Sequence, residues 1–307
     1  MRAASEALHS CGARGARDGR RARTARGRRA TLRAALATAS SSSIAPPPLT
    51  CAAAAAEARA VLRTIRKSSV ESPVPRRVRV ELPLPRADAQ DGDEDAIVYL
   101  GVHGQAADWS GGMAQRLRVT KRLIENDMLD GYNDSTEYLG LLDRDADGMG
   151  VWKVGSSMTC VTHPSDTTME YLVKLARGDY GKTVTEKSHI LVVVNAFWSG
   201  NGESVGQPWE FQLKRDAKAL LSEWSWEKVY ACRRTRSAAG VEGTLVRRYP
   251  GRWMLFNANG SSVVREWDDE PSNREIAESL NEDAGRPEVV GWNRDAANTS
   301  RDDDVMT

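Results

Sequence analysis

The chain has 307 residues, of which 40% are hydrophobic and 28% charged, and its formal net charge is +1. This length allows one large domain or two small ones, and the composition is typical of a soluble globular protein that buries a core of its own. Its four cysteines are far apart in sequence, which excludes a disulfide framework and a zinc-binding spacing.

The charges are unevenly distributed along the chain. Residues 1–50 contain ten arginines against Glu6 and Asp18, a net of +8, whereas residues 268–307 contain twelve acids against four arginines, a net of −8. The basic segment is rich in Ala and Ser and has no apolar run long enough for a signal peptide or a membrane span. We therefore predict that residues 1–52 are a disordered transit peptide. An arginine-rich arm that binds nucleic acid is the alternative, but we expect no nucleic-acid partner.

Residues 53–258 are predicted to form an α/β domain. Apolar residues at helical spacing predict helices at residues 53–67, 110–129, 167–177 and 208–224. Alternating or β-branched runs predict strands at residues 77–82, 96–102, 138–142, 158–161, 189–194, 229–232, 244–248 and 253–256. This order implies a layered, mostly parallel central sheet flanked by helices, followed by a C-terminal antiparallel meander.

Two capping boxes are predicted from pairs of residues at the right spacing. Thr167 with Glu170 is predicted to start the helix that ends before Gly178. Ser272 with Glu275 is predicted to start one helix inside the acidic segment. The rest of residues 259–307 is predicted to be a largely disordered tail, because the segment is strongly charged and poor in apolar residues.

Residues 176–183, with the sequence ARGDYGKT, fit the loosest form of a phosphate-binding loop. A working loop of this kind follows a strand and leads into a helix whose amide groups face the phosphates. Here the segment closes a predicted helix and leads into a predicted strand. We therefore interpret its glycines as turn residues and expect no nucleotide at this loop.

Residues 143–148, with the sequence DRDADG, reproduce the first half of a calcium-binding loop. The twelfth position of such a loop supplies a bidentate glutamate, but here it is Val154, and strands are predicted on both sides where helices belong. We therefore predict a polar turn and no metal.

Three polar residues are predicted to meet at the carboxyl ends of the strands. Asp143, His163 and Asn195 each follow a predicted strand, and α/β sheets bind ligands at that edge. These residues are our candidate rim of a binding crevice. No nucleophile accompanies them, so we predict no catalytic residue and no cofactor.

The chain has nine tryptophans against three phenylalanines. Trp209, Trp224, Trp226 and Trp253 lie within or beside predicted elements, which favours packing in the core and at its edges. An exposed cluster would instead indicate a surface for a partner.

Four segments of the body together resemble a known family: VELPLP at residues 80–85, LVVVN at 191–195, VY at 229–230 and GTLVRRYPGRW at 243–253. The family is a plastid and cyanobacterial domain of unknown function. It includes low-photosystem-II-accumulation assembly factors, and a related domain is attached to a chloroplast adenylate kinase. The resemblance covers about residues 53–257.

Eight residues, which we call the signature residues, carry this resemblance: Glu81, Pro83, Pro85, Arg247, Tyr249, Pro250, Gly251 and Trp253. We predict a structural role for them. Pro250 and Gly251 suit a tight turn, and the aromatic residues on either side of it can pack against the end of the sheet.

The resemblance implies a plastid location, in agreement with the basic leader, and it implies help in photosystem assembly for some relatives. We therefore expect a non-enzymatic chloroplast protein, in the stroma or peripherally on the thylakoid, without a membrane span. It would assist assembly or maintenance of the photosynthetic apparatus by binding proteins such as photosystem II assembly intermediates. The alternative is an α/β enzyme that handles small molecules or nucleotide phosphates at the predicted rim.

Overall fold

The computed structural model describes residues 44–68, 74, 76–84, 99–101, 112–132, 136–142, 148–198, 202, 204–223 and 226–286. Within these residues there are five α-helices: α1 (Cys51–Lys67), α2 (Gly112–Leu123), α3 (Met169–Arg177), α4 (Phe211–Glu223) and α5 (Asn273–Asp283). Helix α2 continues into a π-helical turn, Ile124–Met128, and a 3₁₀ turn, Lys182–Thr185, follows α3. In the part of the chain that is described, no helix is long and apolar enough to span a bilayer.

The described residues also contain ten strands that form one sheet: β1 (Arg77–Glu81), β2 (Tyr99–Gly101), β3 (Thr136–Leu141), β4 (Gly150–Val154), β5 (Met158–Thr162), β6 (Ile190–Val194), β7 (Glu227–Arg236), β8 (Glu242–Arg248), β9 (Trp253–Asn257) and β10 (Val263–Trp267). Their order is β10-β9-β8-β7-β1-β6-β5-β4-β3, and β2 pairs with the far end of β7.

The sheet is parallel at its centre and antiparallel towards both edges. The pairs β7–β1, β1–β6, β6–β5 and β2–β7 are parallel. The pairs β3–β4, β4–β5, β7–β8, β8–β9 and β9–β10 are antiparallel. The predicted α/β class, the flanking helices and the closing antiparallel strands are confirmed, while the sheet as a whole is mixed instead of mostly parallel.

Helices cover both faces of the sheet, as the side chains of β6 show by pointing alternately into two different cores. Val192 and Val194 join the core that α1 and α2 cover, whereas Leu191 and Val193 join the core that α3 and α4 cover. Successive side chains of a strand point to opposite faces, so these two cores lie on opposite sides. A third core on the α3 side packs α5 against β7, β8 and β9.

The three described cysteines, Cys51, Cys160 and Cys232, are buried free thiols. Burial raises the pKa of the Cys160 thiol well above its ordinary value and raises that of Cys232 to about 12. This behaviour agrees with the interpretation of cysteine as a small apolar residue in the core.

Two boundaries differ from the sequence prediction. Residues 44–52, assigned to the leader, belong to the fold, because Pro47 and Pro48 are buried and the Thr50 hydroxyl caps α1 by accepting a hydrogen bond from the Ala53 amide. Strand β10 and helix α5 lie in the segment predicted to be largely disordered, where the capping box at Ser272 is formed as predicted. Residues 287–307 lie outside the described part of the chain.

Two strands and one helix cap also differ from the sequence prediction. Strands β4 and β10 were not predicted. The capping box at Thr167 and Glu170 is not formed, because the cap of α3 is Thr168 and Glu170 instead pairs with Lys174 in the next turn. The order of the segment at residues 176–183 is confirmed: α3 ends at Gly178, which has a left-handed backbone, and the chain continues to β6.

Candidate functional site

Two residues of the predicted rim lie side by side at the carboxyl ends of neighbouring parallel strands. His163 follows β5 and Asn195 follows β6, and the His163 amide donates a hydrogen bond of 2.9 Å to the Val194 carbonyl. Both have left-handed backbones, with φ of 54° and 50°, which is uncommon for residues other than glycine. Asp143, the third rim residue, lies outside the described residues.

Asn195 joins the ends of two central strands. Its amide donates to the Val80 carbonyl at 2.9 Å, and its side-chain Oδ1 accepts a hydrogen bond of 2.7 Å from the Leu82 amide. The side chain therefore extends the β1–β6 ladder by one residue beyond the last backbone pair. Asparagine tolerates the left-handed conformation better than most residues, so its position here has a structural explanation.

His163 is fully buried among side chains from α2 and the segment after β6. Its Nε2 lies 3.1 Å from the Thr120 hydroxyl. Its ring is tilted by 35° against the Phe197 ring, with 5.6 Å between the ring centres, and the Arg116 guanidinium lies 4.5 Å from the centre of the Phe197 ring. Burial and then Arg116 lower the pKa of His163 to about 3, against the opposing effect of the Gly148 backbone. The ring is therefore neutral at physiological pH and packs as a core residue.

Glu81, the first signature residue, lies at the centre of four charged side chains that we call the charged cluster: Glu81, Lys228, Arg233 and Glu270. Arg233 donates to both Glu81 oxygens, from Nε at 2.6 Å and from Nη2 at 2.8 Å, and Lys228 Nζ lies 3.0 Å from Oε2. Lys228 also bridges to Glu270. The cluster lies on the α3 side of the sheet, between the two cores on that face, because β1 directs Val78 and Val80 to the opposite side.

The ionisation of Glu81 depends on its two cations. Burial alone would raise the pKa of Glu81, but Arg233 and Lys228 outweigh this effect and hold it far below its ordinary value of 4.5. Glu81 in turn raises the pKa of Arg233, with burial acting in the opposite direction. Glu81 and Arg233 are therefore both charged in the folded protein.

The later signature residues extend the same neighbourhood. Arg247 is only 2% exposed, with Nη2 lying 3.4 Å from Glu227 Oε1. Lys228 lies 5.4 Å from the centre of the Trp253 ring. Residues far apart in sequence thus meet around Lys228, which agrees with a structural role.

The turn predicted at Pro250 and Gly251 joins β8 to β9. The Tyr249–Pro250 peptide is cis, and the Gly251 amide donates to the Arg248 carbonyl at 2.7 Å. The Tyr249 ring packs against the core under α1. Of the two earlier prolines, Pro83 is buried and Pro85 lies outside the described residues.

A cavity of about 600 Å³, which we call the edge cavity, lies between strand β3 and the connection from α3 to β6. Its apolar lining includes Leu139, Leu141, Leu175 and Val184. Around its mouth Leu139 is 55%, Leu141 42% and Tyr180 50% exposed. The sequence did not predict this site, although Tyr180, in the segment at residues 176–183 that fits a phosphate-binding loop, is part of its lining.

The inner end of the edge cavity is polar. His189 Nε2 lies 2.9 Å from the Thr159 hydroxyl, and its Nδ1 lies 3.3 Å from the Ser156 carbonyl. Burial lowers the pKa of His189, although the Ser156 backbone opposes the shift. Because a carbonyl can only accept, Nδ1 carries the proton of the neutral ring and Nε2 accepts from Thr159.

Glu137 and Lys153 stand opposite each other in the β3–β4 register and both line the edge cavity. The cavity therefore combines apolar walls, a polar floor, and one acid and one base beside its mouth. Its volume is within the range of sites that hold small molecules or the side chains of a bound segment. The arrangement suits binding of an apolar group that also carries hydrogen-bonding atoms.

Comparison with known proteins gives one match. The model of the family described as a domain of unknown function, DUF1995, matches residues 48–278. No curated protein and no solved structure matches the chain. The family match covers well over half of the sequence, from the segment before α1 into α5, and it includes the charged cluster and the turn at Pro250. The chain therefore belongs to the DUF1995 family.

Proposed function

We propose that this protein is a non-enzymatic assembly protein of the plastid, and that its edge cavity binds an apolar segment of a partner protein. The observation that carries the proposal is the exposed apolar mouth of the cavity. Leu139, Leu141 and Tyr180 are all more than two-fifths exposed around a space of about 600 Å³. Large apolar side chains exposed together beside a preformed pocket are typical of interaction sites.

The form of β3 indicates how the partner binds. It favours insertion of a partner side chain into the cavity and disfavours pairing of a partner strand with the edge of the sheet. Strand β3 ends the sheet among the described residues, but a register irregularity between Tyr138 and Gly140 interrupts it. Gly140 has φ of 99°, and bulges of this kind hinder pairing at an open edge. Glu137 and Lys153 then supply an acceptor and a donor for the polar backbone of the bound segment.

The plastid setting is supported by the first fifty residues, whose net charge is +8, and by the resemblance of the signature residues to photosystem assembly factors. On this basis the partners are photosystem II assembly intermediates, met in the stroma or at the thylakoid surface. The protein would shield an apolar segment of such a partner until that segment reaches its final neighbours.

The test is affinity purification of the tagged protein from plastids, with Leu139→Ser and Leu141→Ser combined in one variant. We expect photosystem subunits to be recovered with the unchanged protein and to be lost with the variant. Leu49→Ser is the matched control, because Leu49 is an equally apolar exposed residue outside the edge cavity. Equal recovery of the same subunits with all three proteins would contradict the proposal.

The alternative, an enzyme that handles small molecules or nucleotide phosphates at the rim, has one observation in its favour. His163 and Asn195 keep left-handed backbones, and such strain clusters at functional sites. A ligand that binds only the folded state raises the melting temperature. A concentration-dependent rise with ATP or a sugar phosphate, abolished in Asn195→Gly, would favour the enzyme over the assembly protein.

A further inference from the structure

Two aromatic side chains at the start of α4 are the most exposed aromatic residues described in the chain. Trp209 and Phe211 are each 71% exposed, in a protein that buries Trp152 and Trp253 almost completely. They are two residues apart, so their Cα atoms lie at most about 7 Å from each other. Neither ring is required by the core, so their exposure calls for another explanation.

Basic side chains extend from the same side of α4. Phe211, Arg215 and Lys218 are exposed and occur at spacings of four and three residues, which places them on one face of the helix. The opposite face is held in the core by Ala217 and Leu220. This face is thus directed to solvent with both an aromatic ring and two cations.

Two acids of this segment, Glu210 and Asp216, are already engaged elsewhere. Glu210 accepts a hydrogen bond from the Gln207 amide, and Asp216 pairs with Arg177 and accepts from Gln212. Among the described residues, Arg215 and Lys218 take part in no ion pair. Their charges remain available to an anionic surface.

We propose that Trp209, Phe211, Arg215 and Lys218, which we call the aromatic-basic surface, bind the headgroup region of an anionic lipid bilayer. Tryptophan and phenylalanine rings insert at the boundary between headgroups and acyl chains, while arginine and lysine bind anionic headgroups. The surface is separate from the edge cavity, so the inference goes beyond the proposed function and does not depend on it.

The available area favours a membrane over a protein partner. Two aromatic side chains bury about 300–500 Å² together, whereas a stable protein interface needs about 800 Å² on each side. Peripheral membrane binding needs only a few inserted rings together with electrostatic attraction. The size and the charge of this surface meet that smaller requirement.

The leader would interfere with a test on the full chain alone, because its arginines also attract anionic lipid. All three cores lie within the compact unit Ile44–Thr307, so the experiment uses a chain that begins at Ile44, with the full chain in parallel. This shorter chain has a net charge of −7, since residues 1–43 contribute +8 to the total of +1. Overall charge alone would then repel an anionic vesicle, and attraction must come from a local surface.

Sedimentation with vesicles of phosphatidylcholine, with or without phosphatidylglycerol, tests the proposal. We expect binding only to vesicles that contain phosphatidylglycerol, and weaker binding at higher salt. Trp209→Ser with Phe211→Ser, and separately Arg215→Glu with Lys218→Glu, should each weaken binding by about tenfold or more. Leu49→Ser is the control, because Leu49 is as exposed as the two rings and lies outside both the edge cavity and the aromatic-basic surface, and it should bind as the unchanged protein does.

Insertion of the rings is tested by fluorescence with brominated lipids. Tryptophan emission should be quenched in the unchanged protein and clearly less in Trp209→Phe, which keeps an aromatic ring but removes the reporter. Vesicle binding that is equal in all variants, or equal with and without phosphatidylglycerol, would overturn the proposal. The proposal would also be overturned if replacing the two rings abolished recovery of a partner protein in the affinity purification while binding to lipid vesicles stayed unchanged.

Discussion

At the scale of single residues, the most consequential side chain is Glu81. It accepts hydrogen bonds from Arg233 and Lys228 inside the charged cluster. Removing its charge leaves Arg233 and Lys228, whose side chains are only 12% and 11% exposed, uncompensated, which is more costly than the ion pair itself is stabilising. Glu81→Gln keeps the shape of the side chain and removes only its charge.

We expect Glu81→Gln to lower the free energy of unfolding by about 3 kcal/mol at neutral pH. The matched control is Asp268→Asn, which removes the same charge from an exposed pair with Arg252 and should cost less than about 1 kcal/mol. Urea denaturation of the three proteins measures both effects. Equal losses in the two variants would contradict a special role of the charged cluster.

The same variant has a predicted pH dependence. The pKa of Glu81 in the folded protein lies below its ordinary value of 4.5, so its contribution to stability is fully present above 4.5 and is lost as the pH falls towards the folded pKa. The difference in the free energy of unfolding between the protein and Glu81→Gln should therefore narrow below that pH. A constant difference throughout the acid range would show that another group supplies the stability.

Single residues of the site were only partly predictable. The strands that end at His163 and Asn195 were recognised from their apolar runs, and their meeting at one edge followed from parallel pairing. The bond from the Leu82 amide to Asn195 and the bonds from Arg233 to Glu81 join residues 113 and 152 positions apart. One sequence contains no signal for such long-range pairs, because they depend on which strands become neighbours.

At the scale of secondary structure elements, strong local patterns in the sequence predicted some elements correctly. The β-branched run predicted β6, and the serine and glutamate of the capping box predicted α5. Strand β4 was not predicted, because residues 150–154 were interpreted as the second half of the calcium-loop pattern that begins at residue 143. Strand β10 is mostly half-exposed and so lacks the apolar pattern that identifies a buried strand.

Helix α5 is an integral element of the fold although its surroundings are acidic. Ile276 and Leu280 are buried against β8 and β9. Gly243 of β8 permits this close approach, since a Cβ there would lie 2.5 Å from Leu280 Cδ2 and 2.7 Å from the Phe256 carbonyl oxygen. The helix therefore covers a core that would otherwise be open to water.

We expect Leu280→Ala to lower the free energy of unfolding by about 3 kcal/mol, because it leaves a cavity in a fully buried position. Glu282→Ala is the control on the same helix, since Glu282 is exposed, and it should change stability by less than about 0.5 kcal/mol. Chemical denaturation compares them. A Leu280→Ala protein as stable as its control would mean that α5 is dispensable, as a disordered tail would be.

At the scale of the whole molecule, the layered α/β class was predictable because helices and strands alternate along the chain. The mixed sheet was not, because the order and direction of strands depend on how their faces pack and not on any local pattern. The uneven charge was visible at once, but its meaning depends on where the fold begins. The structure shows that residues 44–52, which were assigned to the leader, already belong to the fold.

The segment before α1 is tied to the sheet at several points. Arg248 donates to the carbonyls of Ala45 and Pro46, at 3.2 and 2.8 Å, while it also binds Glu57 of α1 through two hydrogen bonds. The Cys51 side chain is fully buried, and the Thr50 hydroxyl caps the helix. Removal of the leader within this segment would break the cap and expose apolar surface.

For the plastid leader that we propose, we therefore expect cleavage before residue 44 and not at residue 52. Mass spectrometry of the protein isolated from plastids should find an N-terminus at or upstream of Ile44. A recombinant chain that begins at residue 53 should be less stable to denaturant than one that begins at Ile44 by about 2–4 kcal/mol, because it lacks the cap and the buried side chains before it. A native N-terminus beyond Thr50, or equal stability of the two chains, would mean that this segment does not contribute to the stability of the fold.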